Sequence, residues 1–272
     1  MRVADSAALT TEDTRMRRSV TALSSAWASA RGIERVCYAT GLVLLIAGVF
    51  HLAVFAVDGG PWEGPVSWRK PTTFGVSFGL TLITVSWVTR YLRIGSRARV
   101  ALLGVFAADC VVEVAGITVQ AWRHVPSHFN MQTPQNAAVS MMLAGGGAIL
   151  VAVLVSLAVY AFRGNPSLPA SMGLALRAGF VTLLIGLASG VAMIARGVTL
   201  VNTGHQQLAY QVGGFLKPVH AVSLHGVLVL PALAWLLGRT NWSETGRTRI
   251  VALAAIGYAA AIIGALVLSL MD

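Results

Sequence analysis

Charge is scarce in this chain. Of 272 residues only 11% are charged, with ten acids in all, whereas water-soluble domains carry about 25%. That shortage excludes a soluble globule, since 56% of the residues are hydrophobic and the mean hydropathy is +0.73. Cysteine is scarcer still. Cys37 and Cys110 both lie inside apolar runs, so neither a disulfide framework nor a CxxC metal motif is available. Alternating hydrophobicity is missing too, which excludes a membrane β-barrel. No cleavable signal peptide is evident, because the first thirty residues are polar and mixed and lack an apolar h-region.

What the chain does have is long apolar runs. A span needs about 20 mostly apolar residues to cross a core of about 30 Å. Seven windows qualify, at roughly 34–56, 72–92, 99–121, 137–162, 171–195, 218–238 and 248–270. Between them lie ordinary loop punctuators: Gly59-Gly60-Pro61, Pro126, Pro134, Gly164-Asn165-Pro166 and a polar stretch from Asn202 to Gln211. The expected fold class is therefore all-α: a polytopic, multi-pass protein of the plasma (cytoplasmic) membrane, with a seven-transmembrane-helix bundle over 33–272. Residues 1–32 read as a cytoplasmic tail. The net charge of +10 does not mark a nucleic-acid partner, since the basic residues fall between apolar runs rather than in one patch.

Lys and Arg set the expected orientation. With the N-terminus inside, only Arg69, Lys70, Arg123, Arg196 and Lys217 face outward, and the other fifteen of the twenty basic residues face the cytoplasm. The C-terminus then lies outside. One internal echo accompanies this order. Lys70-Pro71 opens the second span and Lys217-Pro218 the sixth, each followed at equal spacing by a glycine, Gly79 and Gly226. Spans 1–3 and 5–7 are thus candidates for parallel repeats flanking span 4.

On this topology the polar chemistry collects toward the outer side. All six histidines (His51, His124, His128, His205, His220 and His225) fall there, as do Lys70 and Lys217, the only lysines. So do Trp68-Arg69-Lys70 and the segment from Trp122 to Asn130. Interfacial Trp, Lys and Arg often serve simply as anchors, but that does not account for the histidines.

A pair of carboxyls inside the third span is the most informative feature. Asp109 lies near its middle and Glu113 one turn outward, and a spacing of four puts both on one helix face. Gly116, Gln120 and His124 are expected to continue the stripe. Ionisable groups at this depth cost about 2.5–3.5 kcal/mol on insertion scales and normally face a cavity or partner. Two carboxyls so close in a low dielectric do not readily ionise together, so one is expected to keep a donatable proton. The alternative is interhelical glue, in which Asp109 and Glu113 pair with His51, Lys70 or His220. A further acid, Glu63, sits in the aromatic loop Gly59–Pro65, with Asp58 just before it; both are also placed to neutralise Arg69 or Arg123.

No metal site is expected from spacing within one helix, while a three-histidine zinc site assembled from separate segments stays open as an alternative. His220 and His225, five apart, diverge by about 140° on a helix, and Pro126 separates His124 from His128. Bis-histidine haem, with His51 and either His220 or His225 as ligands, remains an alternative. The last span holds neither the lysine of a retinal protein nor the histidine pair of seven-span zinc hydrolases. Pro231 is the one sign of a broken helix of the kind that coupled transporters use.

Seven spans, the loop acid Glu63 after the first of them and a buried carboxyl among aromatics resemble the small integral-membrane terpene cyclases of bacterial and fungal natural-product pathways. The fungal members carry a second acid in a late span, where this chain has none, so Asp109 or Glu113 would stand in its place. The resemblance implies acid-initiated cyclisation or isomerisation of an isoprenoid or lipid-like substrate that enters from the bilayer, without a cofactor. Glu113 poised by Asp109 would be the general acid, with Glu63 as fallback. Trp62, Trp68, Trp122, Phe129 and Tyr210 would line the pocket and stabilise positive charge. His51, His220 and His225 would tune the acid or take the final proton. Gln120 and His128 would border the substrate, and Lys70, Arg123 and Lys217 would hold an anionic head group. Two other classes stay open: a haem- or quinone-linked electron-transfer protein, and a non-catalytic lipid-binding or receptor protein.

Overall fold

Helix ends fall where glycine, proline and threonine dictate them. In the computed structural model, which describes residues 27–271, the order is α1 (Gly32–Asp58), α2 (Arg69–Val88, prolonged by a 3-10 turn at Thr89–Tyr91), α3 (Ser96–Trp122), α4 (Pro134–Arg163), α5 (Ala170–Asn202), α6 (Gln206–Val212), α7 (Lys217–Leu224), α8 (Gly226–Leu237) and α9 (Glu244–Met271). The tail expected over residues 1–32 lies outside the described residues up to residue 26. Gly59 and Gly164 stop α1 and α4 with φ of 72° and 75°, a region open to glycine. Thr133 caps α4 by accepting from the backbone N–H of Asn136 at 3.2 Å, and Pro134 follows at the first helical position.

Seven segments of this all-helical chain are long and apolar enough to cross a membrane, α7 and α8 together making the sixth. Among the described residues there is no strand. Side chains on the outer surfaces are apolar: Val43, Ile46 and Phe50 of α1 and Leu253, Ile256 and Ile263 of α9 are all largely exposed. In water such a surface would be a severe liability; against lipid it is the correct one.

Two differences from the expected pattern matter. The sixth span is not one helix, since α7 and α8 meet at His225, whose carbonyl accepts from both Leu228 and Val229 N–H at 3.0 Å. The break falls six residues before Pro231, where Gly226 presses its backbone against Thr182 of α5. The stretch expected as a polar loop, Asn202 to Gln211, contains the short helix α6.

Glycine governs the closest packing. Gly41 and Gly48 of α1 meet Gly75 and Gly79 of α2, so near that a Cβ on Gly48 would lie 2.6 Å from the Val76 backbone nitrogen. On α5, Gly179 and Gly186, also seven apart, meet Val227 and Leu224 of the broken span. Contacts divide the spans into α1–α2–α3 and α5–α7–α8–α9, with α4 touching α3 and α5, and α2 touching α8. At the far end of α1 from Gly59, buried Glu34 takes a hydrogen bond from the Arg31 guanidinium at 2.7 Å and lies 3.8 and 3.9 Å from Arg90 and Arg99.

Candidate functional site

The seam between α3 and α4 has two polar levels, separated by an apolar one. Asp109, Glu113, Gly116 and Gln120 follow one another at spacings of four, three and four, which keeps them on one side of α3. Opposite them α4 buries Asn136, Ser140, Leu143 and Gly146. Gln120 donates to Asn136 Oδ1 at 3.2 Å, and Leu143 and Met142 close over Gly116. Gly146 fits against both carboxyls. A Cβ there would overlap Glu113 Oε1 and stand 2.9 Å from Asp109 Oδ1.

Neither carboxyl is neutralised. Asp109 is 6% and Glu113 4% exposed. Among the described residues no cation pairs with either, and Asp109 Oδ2 and Glu113 Oε1 have no hydrogen-bond partner. The glue arrangement with His51, Lys70 or His220 is therefore not what the structure contains. Buried oxygens normally find partners, and two adjacent bare carboxylates would repel one another. Chemically, this is a place that holds a proton or awaits a donor.

His124 does not extend the stripe. It follows the end of α3 with φ of 53° and packs against Trp68, 6.0 Å between ring centroids. There it joins a separate aromatic group. His51 accepts from Trp122 Nε1 at 3.1 Å and stacks on Trp68, which donates to Asp58 Oδ2 at 2.6 Å. Trp122 is nine residues from Glu113, so it lies about half a turn round α3 and about 13 Å further along. The tryptophans and His51 therefore do not surround the carboxyls. Trp62 packs on Phe55 in the loop, with centroids 4.8 Å apart. Glu63 is a surface group, 72% exposed and 3.1 Å from Arg69.

Segment 123–133 folds back onto the bundle. Arg123 donates to Gln120 Oε1 at 2.6 Å and to Gln135 Oε1 at 3.5 Å, so its guanidinium is held in this network. Asn130 and Ser127 are tied to Ser140 of α4. Phe129, with φ of 61°, drives its ring into a slot made by Gly197 of α5 and Gly213. Tyr210 accepts from Gln206 on α6 at 2.7 Å. His128 shares a 2.9 Å hydrogen bond with Ser127 and sits by Phe74. Burial, reinforced by the charge of Lys70, pushes the His128 pKa down to about 3, so the ring is neutral at ordinary pH.

Lys70 borders a narrow cleft between the start of α2 and α3, while Lys217 folds back over Gly214. His220 Nδ1 lies 2.8 Å from the Gly186 carbonyl and His225 Nδ1 2.6 Å from that of Ala221. For haem, His51 fits poorly: Nε2 accepts from Trp122 and Nδ1 is 2.7 Å from the Ala47 carbonyl, so both nitrogens are engaged. Among the described residues no group of three or more His, Cys, Asp or Glu side chains is placed to hold a metal.

Sequence reasoning passed over three features. Gly145-Gly146-Gly147 in the fourth span was a legible sign, since three glycines in mid-helix cost about 1 kcal/mol each and imply a close approach. Glu34, in the first turn of α1, carried only the weak sign of an acid near a helix start; its partners Arg90 and Arg99 come from distant segments. Ser67 carried none. No protein-family model, curated protein or solved structure matches the chain.

Proposed function

We propose that this chain is an integral-membrane enzyme of the plasma membrane in which Asp109 and Glu113 donate a proton to an isoprenoid or lipid-like substrate that arrives laterally from the bilayer. One observation carries the reading: two buried carboxyls on one face of α3, each with an unpartnered buried oxygen, fitted against a glycine of α4. A pair without a counter-cation holds its charge down by keeping a proton, and an acid in apolar surroundings is a donor. Transfer of that proton to an alkene carbon forms a C–H bond and a carbocation. Return of a different proton to the carboxylate completes an isomerisation or cyclisation, so no oxidant or cofactor is consumed. Phe106, about one turn from Asp109 on α3 and buried, is a candidate π face for the cation. The Trp68–Trp122–His51 group lies too far round α3 for that work.

The same reading places the N-terminus in the cytoplasm, supported by the clustering of Arg31, Arg90 and Arg99 at the Glu34 end. It also takes spans 1–3 and 5–7 as parallel repeats. Support comes from Gly41 meeting Gly79 as Gly179 meets Gly226, and from α4 standing between the two groups.

Glu113→Gln tests the assignment. In membranes offered prenylated substrates, product measured by mass spectrometry is expected to fall by about 10²- to 10⁴-fold, with the variant still monodisperse and cooperative in its melting in detergent. Turnover unchanged in a folded Glu113→Gln protein removes the carboxyl from the chemistry. A Soret band in the purified protein would replace the reading with haem electron transfer.

A further inference from the structure

The two flanks of the α3–α4 seam differ at the level of the carboxyls. The helices run antiparallel: Gln120 meets Asn136, Gly116 meets Met142 and Leu143, and Asp109 and Glu113 meet Gly146. In an antiparallel pair the residue before each contact position falls on one flank, about 100° round, and the residue after it on the other. After Asp109 and Glu113 come Cys110 and Val114, 0% and 4% exposed, so that flank is packed within the bundle. Before the three contact positions come Ala108, Val112 and Gly145, all exposed. This second flank faces the bilayer.

Its wall is thin at the depth of the acids. A Cβ on Gly145 would meet nothing within 4 Å, and Ala108 adds a single methyl. Met142 and Ile149, both half-exposed, stand on the same side of α4, about 10 Å apart along its axis, and Gly145 leaves a notch between them. Next to the notch, against Gly146, are the buried carboxyls whose Asp109 Oδ2 and Glu113 Oε1 have no hydrogen-bond partner among the described residues. A mid-helix glycine costs about 1 kcal/mol against alanine. At position 145 no close helix contact demands one, but an opening toward the acids does.

Resting on the acid reading above, we propose that this notch is where a substrate chain leaves the bilayer and meets the carboxyls, with Gly145 setting what fits. The bordering residues Ala108, Val112, Met142 and Ile149 carry no polar group, so the part that enters is uncharged. The depth is one absent side chain, so that part is a slender alkenyl chain rather than a broad ring system.

Carbodiimides test the entrance without any turnover. A protonated carboxyl adds across their C=N bond: its oxygen bonds the central carbon, its proton goes to nitrogen, and acyl migration to nitrogen leaves a stable N-acylurea with nothing expelled. The full chain in phosphatidylcholine nanodiscs is treated with diisopropylcarbodiimide, broader dicyclohexylcarbodiimide, or a carbodiimide bearing a quaternary ammonium. Adducts on Asp109 or Glu113 are read by peptide mass spectrometry, each rate taken relative to oleic acid in the same bilayer. The diisopropyl reagent is expected to label, the dicyclohexyl reagent to label less, and the charged one not at all. Gly145→Leu is expected to lose most of the labelling, and Gly257→Leu, the same change at an open position of α9, to lose none. Should Gly145→Leu fail to fold, Ala108→Leu narrows the notch from α3 and decides instead. Full labelling in the folded leucine variant, or equal labelling by the charged reagent, overturns the entrance; equal labelling by the two apolar reagents overturns the width assigned to Gly145. The infrared C=O stretch of a protonated carboxyl, expected in the wild type and weakened in Glu113→Gln, reports the acid separately. That band without labelling overturns the entrance alone, whereas a missing band overturns the acid reading and the entrance with it.

Discussion

His128 shows what burial does to a single side chain in this fold. Its ring is enclosed by Phe74, Phe129 and Ser127 with Lys70 close by, and its pKa falls from 6.5 to about 3. Between those values the unfolded chain binds a proton that the folded chain refuses. Stability therefore rises with pH across that window, is complete above about 6.5, and drains away as pH falls toward 3. The melting temperature in detergent is expected to drop by at least about 2–4 °C between pH 7 and pH 4.5. His128→Asn keeps a polar partner for Ser127 and should flatten that slope, whereas an identical slope in the variant would assign the acid sensitivity to another group. At this scale the sequence was informative where a residue's own chemistry is unusual for its surroundings, as with Asp109 and Glu113. It was silent where the role depends on what stands opposite. Nothing about Gly146 or Ser67 alone says that one faces two carboxyls and the other a cleft.

Helices were legible because a span is a local property: some twenty apolar residues announce it wherever it packs. Their breaks were less so. His225 interrupts the sixth span because Gly226 is pinned to Thr182, a contact between segments more than forty positions apart, and α6 is too short to register as an apolar run. The glycine seams lie between these cases, since spacing suggests them and only packing tells which glycines are needed. Gly48 is one of these. A Cβ there would meet the Val76 nitrogen at 2.6 Å and the Thr72 carbonyl at 2.9 Å, backbone atoms that move only if α1 and α2 separate. Gly48→Ala is expected to cost about 1–3 kcal/mol, the range of overpacked cores. Gly147→Ala, with nothing within 4 Å of the added carbon, should be neutral or stabilising by about 0.5–1 kcal/mol. Chemical denaturation in a mixed detergent system measures both, and equal effects would mean that helix propensity, not the α1–α2 contact, sets the cost.

For the molecule as a whole, the seven spans fix which loops share a side but not which side faces the cytoplasm. The loops at 59–68, 123–133 and 203–216 lie together, and those at 92–95, 164–169 and 238–243 lie opposite. The proposed orientation rests on the attraction of basic residues to the cytoplasmic face, and under it the Lys70 end of the bundle faces outward. Cysteine chemistry reads this directly, because Cys37 and Cys110 are both free and 0% exposed, so the described part of the wild-type chain should stay silent. Single cysteines replace the exposed residues Gln132, Ser167 and Asn241. A membrane-impermeant maleimide applied to intact cells is expected to label Gln132→Cys, while Ser167→Cys and Asn241→Cys react only after permeabilisation. The reverse pattern would turn the bundle over, so that the Lys70 end faced the cytoplasm. Labelling of all three in intact cells would break the membrane topology itself. The carboxyl pair, near the middle of its span, would keep its depth under either orientation, so the labelling pattern leaves the proposed acid chemistry untouched.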